Sequence, residues 1–271
     1  MAAGALLYGC STSDTHPPGI GDCVGPGCGD PSGPGNTPGK DAAPDTSVSD
    51  ASSDADAAEA AATTSLSGTV VLLSDARFQT PTEYFGAATV RVPTPSGDAS
   101  YPANGDGGQG FSAENVVAAP GWFSVFPSAD AVDAGSGAYV TWSYLPVPVS
   151  GSTAFQVPLL DRINLLQILS TIQEPTFPRV DSAQVVVVFE RNGQRVPNVS
   201  LTKVPTCETV LYDLGVGYSN AVTATGTAGV VYLVNAVGTG KIEWKELGAG
   251  TGAVTPTFVP AQATFMRIEL P

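Results

Sequence analysis

From Ser11 to Ser65 the chain offers almost nothing with which to build a core. Ile20, Val24 and Val48 are the only branched aliphatic residues there, and the rest is mainly Ser, Thr, Asp, Ala, Pro and Gly. Such a segment cannot bury enough apolar surface to offset the entropy of ordering it. It holds nine acids and one base, a net charge of −8, so like charges extend it further. Read as a flexible chain, residues 11–65 have a root-mean-square reach of ~40 Å, from about 5–6 Å times the square root of length. The Ala-rich end from Asp50 to Ala62 can form a transient helix, but it has no apolar face to dock. The expectation is a disordered low-complexity tether over 11–65, with folded structure beginning near Ser65.

Beyond Ser65 the punctuation changes. The chain carries 31 Gly and 23 Pro, which disfavour helix interiors, among clusters of Val and Thr that suit strands. Strand-length runs appear at Gly68–Leu73, Gly86–Val92, Phe111–Val117, Trp122–Phe126 and Ala138–Tyr144, with a Gly/Asp/Pro loop expected from Ser96 to Gly110. A second series follows at Ala183–Phe189, Val196–Val204, Val230–Val234 and Lys241–Lys245, with Arg191-Asn192-Gly193-Gln194 reading as a hairpin turn. At the end, Met266, Ile268 and Leu270 alternate with Arg267 and Glu269, the pattern of a one-sided edge strand.

Residues 159–173 read differently. Leu159, Leu160, Ile163, Leu165, Leu166, Ile168, Leu169 and Ile172 cover most of a helical circumference, bounded by Pro158 and Pro175, with Asp161 near the N-terminus. A helix this apolar is expected to be buried between two bodies. The layout is then 1–10 as a leader remnant, 11–65 as tether, 66–154 as a first β-sandwich, 155–180 as a helical connector and 181–271 as a second β-sandwich. The fold class is mostly β.

The two β segments share spacing as well as class. Gly110 and Gly121 match Gly229 and Gly240 at one constant offset, which sets Phe111 against Val230 and Phe123 against Ile242. Gly86, Val90, Gly110, Phe111 and Gly121 in the first segment, and Val196-Pro197, Leu201, Thr225, Gly229, Val230 and Gly240 in the second, resemble the carboxypeptidase regulatory-like (prealbumin-like) β-sandwich family. The first copy departs from the pattern at Phe78–Phe85 and Ser96–Gly110. The second has Asn198 where a Gly is usual and an insertion from Cys207 to Asn220. The resemblance implies two tandem sandwiches and a non-catalytic role, as an accessory module beside an enzyme or as a surface and adhesion protein.

The start of the chain adds an address. Leu6-Leu7-Tyr8-Gly9-Cys10 resembles the lipobox of bacterial lipoproteins, with Cys10 as the residue that carries lipid. Met1 to Tyr8 lacks the Lys or Arg of a signal n-region, so either the start lies upstream or the match is chance; the tether that follows favours the first. No run of eighteen apolar residues exists, so a lipid on Cys10 replaces a spanning helix as the anchor. The expected location is the bacterial envelope, exposed to periplasm or cell surface, with the membrane, envelope proteins or polysaccharide as partners.

Charge and residue inventory exclude other classes. Residues 66–154 carry seven acids and two bases, net −5, and residues 155–271 nine acids and eight bases, net −1. With no basic patch, nucleic acid is excluded as a partner. The single histidine, His16, lies in the tether, so the folded part cannot assemble a Ser/His/Asp or Cys/His centre. No phosphate-binding loop carries its Lys, and no cofactor is expected. A hydrolase acting through a pair of carboxylates stays open as a third reading.

Several residues stand out as site candidates. Cys23 and Cys28 enclose Val-Gly-Pro-Gly, a loop short enough for a disulfide; free thiols or a metal site are the alternatives. Cys207 reads as a small half-buried apolar residue. Asp98, Asp106, Asp130 and Asp133 lie in Gly-rich stretches that could supply oxygen ligands to calcium, though their spacing matches no loop motif and solvated turn carboxylates are the plainer reading. Asn198-Val199-Ser200 has the pattern of a glycosylation acceptor but reads as a strand start. Trp122, Phe126, Trp142 and Tyr144 form either an aromatic platform for sugar or peptide or, as such residues more often do, part of the sandwich core. Function is therefore expected to be structural or adhesive binding, the alternative being a carbohydrate- or peptide-binding accessory module, with or without calcium.

Overall fold

The computed structural model describes residues 61–104, 110–128, 137–147, 155–170 and 178–271. The first segment contributes β1 (Thr63–Leu73), β2 (Pro81–Glu83), β3 (Ala88–Thr94), β4 (Gly97–Ala103), β5 (Gly110–Val117), β6 (Gly121–Pro127), β7 (Thr141–Leu145) and β8 (Phe155–Leu160). After helix α1 (Arg162–Ser170) come β9 (Ala183–Arg191), β10 (Gln194–Arg195), β11 (Val199–Lys203), β12 (Thr209–Asp213) and β13 (Tyr218–Ser219). The chain ends with β14 (Val230–Ala236), β15 (Ile242–Glu246), β16 (Thr251–Val254) and β17 (Ala263–Glu269). The fold is mostly β, as expected.

One pairing scheme occurs twice. β1 pairs antiparallel with β5 and parallel with β8; β9 pairs antiparallel with β14 and parallel with β17. Likewise β3 pairs antiparallel with β6, and β11 with β15. The shared glycines have a physical reason in this scheme. A Cβ on Gly121 would stand 3.0 Å from the Pro93 side chain, and one on Gly240 would stand 2.4 Å from that of Pro205. In both places a proline ring occupies the space a side chain would need.

The two segments do not stand apart as bodies with a helix between them. β17 lies between β9 and β7, parallel to both, and joins the strands of both segments into one ten-stranded sheet in the order β13-β12-β14-β9-β17-β7-β6-β3-β4, with β10 pairing β9. The described residues belong to one compact unit. The expected edge strand at the C-terminus is thus central. Its alternation misled because Arg267 and Glu269 lie beyond Met266, the last residue paired with β7, while Ala263 to Met266 are all buried.

Three layers result. The four-stranded sheet of β2, β1, β5 and β8 covers one face of the large sheet, and the three-stranded sheet β11-β15-β16 covers part of the other. Strand β9 shows how both faces are used. Val186 and Val188 join the core beneath the four-stranded sheet, whereas Val185, Val187 and Phe189 join the core with Ile242 and Trp244 of β15. Burial on both faces explains why β9 and β14 read as unbroken apolar runs rather than alternating ones. The Asn192-Gly193 turn has positive φ at both positions (52° and 71°), the two-residue hairpin geometry the sequence indicates.

Two further expectations change. Gly97 at φ 110° closes a tight turn, and β4 forms a strand where a loop is expected. The helix is shorter than 159–173: Leu159 and Leu160 belong to β8, paired with Leu72 and Leu73 of β1. Asp161 then caps α1, its Oδ1 accepting the Ile163 N–H at 2.8 Å. Leu165, Ile168 and Leu169 face the core, but Ile163 is 56% exposed, so α1 lies on the body with one side open. Among the described residues, no helix is long and apolar enough to cross a membrane.

A buried hydroxyl between strands gives a stability test. Ser143 on β7 is fully buried, opposite Phe123 and Phe265, and its Oγ has no hydrogen-bond partner. Ser143→Ala is expected to raise stability by about 1 kcal/mol, since an unsatisfied buried polar group costs on the order of 1–3 kcal/mol. Equilibrium urea unfolding checks this; a loss of stability would mean the hydroxyl is bonded.

Candidate functional site: an aromatic face on the large sheet

Alternation on β6 and β7 decides which side chains meet solvent. Phe123, Val125 and Leu145 point into the core beneath the four-stranded sheet. Trp122, Ser124 and Phe126 on β6, and Trp142 and Tyr144 on β7, therefore share the opposite face. Trp122 sits across from Tyr144, and Ser124 from Trp142, so the small serine leaves room for the indole beside it. All four aromatic side chains are half-buried. The positions beneath the four-stranded sheet are taken by Phe123, Val125, Thr141, Ser143 and Leu145, and the four rings lie on the other face, where Trp122 and Tyr144 pack against the second core and Phe126 and Trp142 are half-buried beside them.

The three-stranded sheet does not cover this face. It packs over β9, β14 and β17, and Trp122 and Tyr144 touch the margin of that core. The rings brace one another in tilted and edge contacts, Trp122 with Tyr144 at 5.3 Å between centroids and Phe126 with Trp142 at 6.4 Å. The Arg91 guanidinium stands 4.7 Å over the Phe126 ring from neighbouring β3. The Trp142 indole N–H donates to Gln262 Oε1 at 2.5 Å, fixing that ring from the loop before β17. Between Trp122 and Phe126 the stripe runs about 13 Å along β6, at about 3.3 Å per residue.

Polar groups border the rings. Thr89 of β3 is opposite Phe126, Arg91 is opposite Ser124 and also Ser100 of β4, and Pro93 is opposite Asp98. Hydroxyls, a guanidinium, an amide and one carboxylate thus surround an apolar strip carried on paired strands. Nothing in this set is a nucleophile–base pair. It can stack against flat apolar surfaces and exchange hydrogen bonds at their margins.

Of the other sequence candidates, Asp98 lies exposed on β4. Asp106, Asp130, Asp133, Cys10, Cys23 and Cys28 lie outside the described residues. Among the described residues no group of three or more His, Cys, Asp or Glu side chains comes together. Cys207 is buried, 3% exposed, in the core with Val199 and Trp244. Asn198 directly precedes β11 at φ 63°, so the acceptor-like triplet is a strand start. Arg91 and Gln262 belong to the aromatic face without a sequence signal of their own; Gln262 is brought to Trp142 only by the β7–β17 pairing.

No family model and no curated protein matches the chain. Among solved structures it is similar to the Bacillus anthracis TIE protein, at a TM-score of 0.23 and 12% identity over 76% of this chain and 34% of that one. The chain spans about a third of that structure's length, and so distant a likeness carries no functional argument.

Proposed function

We propose that this chain is a non-catalytic binding protein of the bacterial envelope that holds a neutral polysaccharide against its aromatic face. The observation that carries the reading is the strip of Trp122, Phe126, Trp142 and Tyr144, half-exposed side by side on paired strands at the margin of the three-stranded sheet. Rings held in a row at differing tilts and bordered by hydroxyl and amide groups suit the apolar faces and ring hydroxyls of a sugar chain. Neutrality follows from charge, because residues 66–154 are net −5 and would repel an acidic polymer.

Affinity electrophoresis of the full chain through gels containing neutral polysaccharides tests this. Retardation in at least one neutral gel, weaker in an acidic one, is expected; equal mobility in all gels would contradict it.

The anchor belongs to the same reading and rests on sequence: the Leu6–Cys10 string and the Ser/Asp/Ala-rich spacer behind it. Metabolic palmitate labelling is expected to mark the wild type and to be lost in Cys10→Ser. Label that survives the substitution would remove the anchor.

A further inference from the structure

On the side of β17 away from the aromatic strip, a cavity of about 250 Å³ opens between the β9–β10 hairpin, β1 and β8. Glu190, Arg195 and Arg267 line it together with Gln79, Gln156 and Gln194. Two guanidinium groups share one carboxylate. Arg195 Nε lies 3.3 Å from Glu190 Oε1, and Arg267 Nε lies 3.5 Å from Glu190 Oε2. Side-chain exposure is 11% for Arg195 and 12% for Glu190, against 31% for Arg267.

The donors are incompletely used. Arg195 Nη2 donates to the Phe78 carbonyl at 2.5 Å, but its Nη1 is buried without a hydrogen-bond partner, and so is Arg267 Nε. Asp75, the other acid near Arg195, has its carboxylate taken up by the backbone N–H groups of Arg77, Gln79 and Thr80. Burial pushes the Arg195 guanidinium below its ordinary value, with Glu190 pulling the other way. A buried cation with an unpartnered donor, whose nearest carboxylate is shared with a second guanidinium, is costly unless something completes it.

We propose that this cavity is a binding site for a small oxyanion, a carboxylate or phosphate group seated between Arg195 and Arg267 with its oxygens on the unused guanidinium donors. A planar guanidinium presents paired donors that match such an anion. The volume lies below the ~300–1,000 Å³ of pockets for drug-sized ligands, which restricts the guest to a compact solute or a single anionic group. The three glutamine amides lining the cavity can bond the rest of it.

The test is a titration of the full chain, labelled with ¹⁵N, following arginine Nε–H signals. Sodium succinate and sodium phosphate are the probes, each against sodium chloride at matched ionic strength. Saturable shifts of Arg195 and Arg267 are expected with at least one probe, and the better probe identifies the anion class. Glu190→Gln releases both guanidinium groups from their competitor and should tighten binding about tenfold, whereas Arg267→Gln should weaken it about tenfold, in line with the strength of charge-assisted hydrogen bonds. Arg195→Gln should abolish it. A purely structural ion-pair cluster predicts otherwise: no saturable response beyond chloride, or a Glu190→Gln variant that folds and binds no tighter, would overturn the proposal.

Discussion

Replacing Asp213 with alanine is expected to lower stability by about 4 kcal/mol, a drop of roughly 10 °C in melting temperature for a body of this size. The Asp213 side chain is 2% exposed and accepts four backbone N–H groups. Oδ1 takes Gly215 at 3.0 Å and Ala228 at 2.9 Å; Oδ2 takes Gly226 at 3.1 Å and Val230 at 2.9 Å. It therefore ties the turn after β12 to the turn that feeds β14, a strand with every residue buried. Alanine leaves those four donors without their carboxylate. Hydrogen bonds to a charged acceptor contribute about 1.5–3 kcal/mol each but do not add fully within one network. Asn can accept two of the four and should cost less. Thermal unfolding of both variants checks the ordering Asp > Asn > Ala; an alanine variant as stable as wild type would show that the turns are held by packing alone.

The second large effect falls on binding. Trp142→Ala is expected to weaken polysaccharide retention at least about 30-fold, the usual consequence of removing a central aromatic anchor worth 2 kcal/mol or more. Trp142 contacts Phe126, donates its indole N–H to Gln262 and lies across from Ser124, so its loss removes the middle of the strip. Trp122→Ala should weaken binding by a similar factor, and the double variant should show no retention. Because both indoles are half-exposed and Trp122 touches only the margin of a core, far-ultraviolet circular dichroism should stay as in wild type. Undiminished binding by the folded double variant would move the site elsewhere.

Much of the architecture was readable because strands buried on one or two faces leave plain marks: Gly68 to Leu73, Ala183 to Phe189 and Val230 to Val234 each stand where a strand was expected. The Asn192-Gly193 turn carried its own geometry. What the residues could not show was which strands meet. Nothing in Ala263 to Met266 announces a parallel partner at Thr141 to Tyr144, more than a hundred residues earlier, and that pairing converts an expected edge into the centre of a sheet. Leu159 and Leu160 failed for a different reason. A short apolar run has no period of its own, and the helix that follows lent them one. The aromatic strip was legible as residues but not as a surface, since Trp122, Phe126, Trp142 and Tyr144 differ from Phe123 only in the face they occupy. Asp213 was hidden inside a stretch read as an insertion, because three of the four donors it gathers come from a turn more than ten residues away.

The claim that everything else serves is that the strip on β6 and β7 touches the ligand. The chain has 3 tryptophans, and one of them, Trp244, is 8% exposed in the core beneath the three-stranded sheet. Intrinsic fluorescence of the full chain, titrated with the neutral polysaccharide that retards it, therefore reports mainly on Trp122 and Trp142. A saturable change that disappears in the Trp122→Phe/Trp142→Phe variant is expected, with no release of reducing ends. A fluorescence response of the same size in that variant, or turnover of the polymer, would contradict it.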